Sequence, residues 1–172
     1  MAESHVAFYN IYQLYNDHSP EAEAFLQEWS DSWPGGRGKT PREKLDYLIT
    51  GLQAEDTVLA YLRDKYPNDG WWYADPNRLF ISPIRIGTHD QPDLKNLYTS
   101  QTIEVKIVND EQMTGFGDWA IAFPAWRKFH NANRVICINQ SQTQLCELDL
   151  TSGYTKGTCQ YFKPLKSVSL ND

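Results

Sequence analysis

The chain is poor in cysteine: only Cys137, Cys146 and Cys159 occur, with no Cys-x-x-Cys pair. An odd count at that spacing argues against a disulfide framework and offers no zinc signature. Reduced thiols in a cytoplasmic protein are therefore expected. Histidine is equally scarce. His5, His18, His89 and His130 stand at no paired metal-ligand spacing, even with Asp90 and Asp93 close to His89. No Gly-x-Ser-x-Gly nucleophile pattern is present. Gly38-Lys39-Thr40 matches the end of a phosphate-binding loop, but Trp33 stands where that motif needs glycine, and Pro41 follows. Long apolar runs are missing too, so no membrane-spanning segment is expected. The first residues lack the basic start and apolar stretch of a signal peptide. No internal repeat or low-complexity stretch is visible.

What is present suits one folded domain, residues 1–172, of the 172-residue chain. Aromatics make up 13% of it and hydrophobic residues 41%, enough to build a core and to exclude disorder. The net charge of −6 weighs against a nucleic-acid partner, but the charge is uneven. Residues 119–171 hold Glu147 and Asp149 against Arg127, Lys128, Arg134, Lys156, Lys163 and Lys166. A locally basic surface can face phosphates while the rest stays acidic.

Helix signals dominate the first part. Ser19-Pro20-Glu21 reads as N-cap, first helical residue and first-turn acid, predicting a helix to about Trp33. Thr40-Pro41-Arg42-Glu43 reads as a capping box. Leu45, Leu48, Ile49 and Leu52 follow at helical spacing, and Gly51 either breaks this helix or is tolerated in it. A further helical stretch over about 53–66 ends at Pro67-Asn68-Asp69-Gly70. Strands are expected over Arg78–Ile86, Thr102–Val108, Val135–Ile138 and Leu145–Leu150. Trp119–Phe123 is ambiguous, a helix is expected over Pro124–His130, and the signals from Gly153 onwards are mixed. The order implies an α/β fold: N-terminal helices (about 19–66), then a mixed central β-sheet flanked by helices, with a core over about 53–150. Trp71-Trp72-Tyr73 could stack on exposed bases, although clustered aromatics more often fill a core.

One segment carries chemistry. In Thr102–Val108, Ile103, Val105 and Ile107 alternate with Glu104 and Lys106, which therefore share the other face. A hairpin turning near Tyr98-Thr99-Ser100 would bring Asp93, after Pro92, beside Glu104. Two carboxylates at one point call for a cation, and hard oxygen donors suit Mg²⁺, with Mn²⁺ as the alternative. Lysine beside them could orient water or offset charge on a scissile phosphate.

Pro92-Asp93 followed by Glu104-Val105-Lys106 on an apolar strand resembles the PD-(D/E)xK nuclease superfamily, which has a restriction-endonuclease-like fold. The resemblance spans about residues 53–140 in element order and rests on four motif residues. It implies a metal-dependent endodeoxyribonuclease of restriction, homing or junction-resolving type. Asp93 and Glu104 would be metal ligands, with the Val105 carbonyl as a further one, and Lys106 would be catalytic. An acid from the preceding helix would be Glu55, with Glu43 and Asp64 as alternatives. Arg127, Lys128 and His130 would lie near DNA. Cutting two strands implies a homodimer or higher symmetric oligomer, with the helices of residues 19–66 as its interface. The competing expectation is a non-enzymatic acidic interaction protein, such as an inhibitor, immunity or adaptor protein. In it Glu104 and Lys106 are merely surface charges.

Overall fold

A computed structural model describes residues 8–33, 38–83, 91–110, 121–124, 129 and 131–170. They fall into two compact units, one from Met1–Leu52 with Asp75–His89 and the other from Gln53–Ala74 with Asp90–Asp172. Among the described residues no helix is long and apolar enough to cross a membrane.

The first unit holds strand β1 (Tyr9–Asn10), helix α1 (Ile11–Asn16), helix α2 (Pro20–Ser32) and the start of helix α3 (Pro41–Lys65). The Ser19 hydroxyl accepts the Ala22 N–H at 3.2 Å, so α2 starts where its cap and proline require. At α3 the capping box closes in both directions. Thr40 N–H donates to Glu43 Oε1 (3.1 Å) and Glu43 N–H to Thr40 Oγ1 (3.2 Å). Ile11, Leu14, Phe25, Leu26, Trp29 and Leu45 form the centre of this unit's core. Arg42 donates to the carbonyls of Leu14, Tyr15 and Asp17, which satisfies the end of α1.

Helix α3 runs for 25 residues without a break at Gly51, and its second half belongs to the second unit. There it precedes β2 (Trp71–Tyr73). Next in chain order comes β3 (Phe80–Ile81), which belongs to the first unit and pairs with β1. The expected strand over Arg78–Ile86 is thus corrected to these two residues, with residues 84–86 outside the described part. The reason is turn chemistry. The Asp75 carboxylate accepts the Asn77 N–H (2.8 Å), and Arg78 and Phe80 donate back to Asp75 and Asn77.

The second unit is built on a mixed, seven-stranded sheet. Besides β2 it contains β4 (Leu94–Asn96), β5 (Thr102–Val108), β6 (Ile121–Pro124), β7 (Arg134–Asn139), β8 (Gln144–Lys156) and β9 (Cys159–Ser169), in the order β2-β4-β5-β7-β8-β9-β6. Among the described residues only β5 and β7 pair in parallel. The expected α/β class with a mixed sheet is what the molecule has. Pro124 ends β6 rather than opening a helix, and residues 125–128 and 130 lie outside the described part. As the last residue of an edge strand, Pro124 costs the ladder little. Beyond Gly153 the described residues are strand on either side of a turn at Gly157-Thr158. They complete β8 and form β9.

Each face of this sheet carries an apolar cluster. Ala54, Val58, Leu59 and Leu62 of α3 pack on Ile103, Val105, Ile136 and Ile138. On the opposite face Val108, Val135, Cys137, Cys146 and Leu148 cluster with Phe123 and Phe162.

Candidate functional site

Strand β5 is an inner strand, flanked by β4 and β7. Its odd-numbered residues Ile103 and Val105 enter the helix-covered core, so Glu104 and Lys106 lie on the opposite face. Parallel register puts Glu104 level with Val135 and Lys106 level with Cys137. Glu104 is 3% and Lys106 7% exposed. The reading of these two as solvated surface charges is therefore corrected. β7 stands beside β5 in parallel, with Val135 and Cys137 level with the two charged residues and buried in an apolar cluster on that face.

Asp93 reaches them through a hairpin, as the sequence suggests. Leu94 pairs with Ile103, Lys95 with Thr102, and the Asn96 N–H donates to Gln101 O at 2.9 Å. The turn is held by Asn96 Oδ1, which accepts the N–H groups of Tyr98 (2.9 Å) and Thr99 (3.2 Å). One residue before β4, the Asp93 N–H still donates to Ile103 O at 3.1 Å. Its carboxylate Oδ2 accepts the Val105 N–H at 2.7 Å. That bond fixes Asp93 beside Glu104, where β4 no longer covers the edge of β5. The Val105 carbonyl shares this edge, because the N–H and C=O of one strand residue point the same way.

Lys106 Nζ lies 3.0 Å from Glu104 Oε1. Two carboxylates and one ammonium leave a net negative charge in a poorly hydrated place, which a proton or a cation can offset. The Glu104 carboxyl responds accordingly. Burial, and then the Asp93 charge, push it up to about 7 against the opposing pull of Lys106. A hydrogen bond with Asp93 also favours its protonated form.

Glu55 sits on α3, on the side of the sheet opposite Glu104, and is half-buried. Among the described residues no three of His, Cys, Asp and Glu form a metal-holding group, so Glu55 does not join Asp93 and Glu104. Glu43 lies in the capping box of the first unit. Arg127, Lys128 and His130 fall outside the described residues, as do His89 and Asp90. Sequence reasoning missed Cys137, the neighbour of Lys106 across the parallel pair. Alternation within one strand carries no information about which strand lies beside it.

No protein-family model, curated protein or solved structure matches the chain.

Proposed function

We propose that this chain is a Mg²⁺-dependent endodeoxyribonuclease with a restriction-endonuclease-like core, centred on Asp93, Glu104 and Lys106. One observation carries the reading: two carboxylates meet in a buried place, with a lysine 3.0 Å from one of them. The donor set fits Mg²⁺, or Mn²⁺ in its place, because such ions are commonly held by one or two carboxylates with water and substrate phosphate completing the shell. Asp93, Glu104 and the Val105 carbonyl would be the protein's ligands. When bound, the ion polarises the phosphoryl oxygen and lowers the pKa of water. The Lys106 ammonium then has two tasks. It holds the attacking water in line, and it offsets charge that grows on the scissile phosphate. Asp93, anchored on the Val105 N–H, keeps the carboxylates in register through the reaction. Arg127, Lys128 and His130 are proposed DNA contacts.

Supercoiled plasmid with Mg²⁺ tests this. Wild type is expected to nick or linearise it, and Lys106→Ala and Asp93→Ala to lose activity by roughly 100-fold or more, the scale of a positioned proton-transfer group. Nicking that persists unchanged in both variants overturns the assignment. The product also reports assembly. Linear DNA formed directly from supercoiled DNA marks two centres acting together in a symmetric dimer, whereas nicked circles alone mark one centre.

A further inference from the structure

On the face of the sheet that carries Glu104, polar residues continue beyond the buried centre. Leu94 of β4 enters the helix-side core, so Lys95 lies on the opposite face, with Glu104. Lys95 pairs with Thr102, which precedes Glu104 by two residues on β5. On the other side of Thr102 stands Asn133, just before β7 and in step with the parallel register of Ile103 and Arg134. Lys95, Thr102 and Asn133 thus form a row across three segments of the sheet. Neighbouring members lie about 5 Å apart, and the row lies about 7 Å along the strands from Glu104.

The row is open where the centre is closed. Lys95 and Asn133 are exposed and Thr102 is half-buried, against 3% exposure for Glu104. Asn133 is held in one orientation. Its Oδ1 accepts both the Thr102 N–H (3.0 Å) and the Thr102 hydroxyl (3.2 Å), and its own N–H donates to Thr102 Oγ1 (3.2 Å). A backbone N–H can only donate, so it is the amide oxygen that meets Thr102, and the Nδ2 donors are left over. Among the described residues no acid pairs with the Lys95 ammonium and nothing accepts from Asn133 Nδ2. The row therefore offers unspent donors, one of them a cation, a single step from a centre proposed to act on a phosphodiester. The phosphates of a nucleic-acid strand follow one another at a comparable distance, and contacts to them position the backbone without reading its sequence.

We infer that Lys95 and Asn133, on either side of Thr102, hold the backbone phosphate next to the phosphodiester that occupies the Asp93–Glu104–Lys106 centre. The choice of a DNA phosphate as the occupant rests on the nuclease reading, whereas the contact itself is a matter of binding.

Fluorescence anisotropy in EDTA, with a short labelled DNA duplex, reads that binding without cleavage. Lys95→Ala should lower the slope of log affinity against log salt by about 0.9, the share of one phosphate contact on a duplex, and Lys95→Arg should keep it. Asn133→Asp retains the acceptor for Thr102 and turns the outer donor into an anionic oxygen. It should weaken binding roughly tenfold or more, the scale of one hydrogen bond to a charged group. In plasmid nicking Lys95→Ala should raise KM and leave kcat unchanged, because a flanking contact is the same before and during the reaction. The inference is overturned if the duplex does not bind, if Lys95→Ala keeps the wild-type salt slope or lowers kcat instead of raising KM, if Lys95→Arg loses as much slope as Lys95→Ala, or if Asn133→Asp binds as wild type does.

Nicking with Mg²⁺ separates the two readings. Nicking that needs Lys106, with duplex binding indifferent to Lys95, overturns the phosphate contact and leaves the nuclease. Binding that depends on Lys95 and Asn133, in a protein that never nicks DNA, supports the contact and overturns the nuclease.

Discussion

Glu104 is a carboxyl whose surroundings favour its protonated form, with burial the larger cause and Asp93 the next. Its folded value, about 7, lies above the ordinary 4.5, so the native state keeps a proton that the unfolded chain releases between these limits. The contribution of this group to stability is therefore full below about pH 4.5. It is lost as pH rises towards 7, by on the order of 3 kcal/mol if the group acted alone. Asp17, Glu43 and Asp149 act in the opposite direction. Hydrogen bonds from Ser19, Thr40 and Thr151, respectively, hold their carboxyls below the usual range. The difference between wild type and Glu104→Gln isolates the buried group. In urea unfolding without metal, that difference should grow in favour of Glu104→Gln from pH 5 to pH 8. A pH-independent difference would mean that Glu104 titrates normally. Adding Mg²⁺ at pH 8 should stabilise wild type more than the variant, since a cation takes the place of the missing proton.

Among the elements, α3 is the clearest case of local signals winning. Its capping box is written in four consecutive residues, so its start was legible. Gly51 left its continuity open, and apolar contacts on both sides of that glycine settle the matter: Leu45 and Leu52 in one core, Ala54 and Val58 in the other. A Cβ at Gly51 would meet nothing within 4 Å. Gly51→Ala should therefore stabilise the protein by roughly 0.5–1 kcal/mol in urea unfolding, through lower backbone entropy in the unfolded chain. A destabilised variant would show that the helix needs glycine there. Strand β5 was legible for a similar reason, as seven residues with clean alternation. The site was half-legible. The Asn96 turn and the Asp93 approach follow from local chemistry, but the burial of Glu104 and Lys106 is a tertiary property that the alternation of one strand does not carry. Three-residue strands such as β2 and β4 are too short for a periodic signal. The β8–β9 ribbon hides its period behind register shifts between Glu147 and Leu148 and between Asp149 and Tyr154. Gly153 sits within the second of these shifts, and a Cβ there would come within 2.5 Å of the Phe162 ring. It therefore marks a close packing contact rather than a loop.

At the scale of the whole molecule, the two neighbours of β5 are of different kinds. β4 reaches it through a tight hairpin, whereas β7 returns in parallel after residues 109–133. Closing the longer connection costs more chain entropy, and parallel pairing needs such a crossover. Hairpin contacts are therefore expected early in folding and the β5–β7 ladder late. In stopped-flow experiments Leu94→Ala should slow refolding, while Ile138→Val should mainly speed unfolding. The reverse pattern would place the parallel pair in the folding nucleus. One consequence concerns the order in which the centre matures. On this order Asp93 and Glu104 are expected to meet in the hairpin while water still surrounds them. The charge that Glu104 shares with Asp93 is expected to become costly only as the finished sheet takes water from the Glu104 carboxyl, so that closing the centre favours uptake of a proton or a cation beside the Lys106 ammonium.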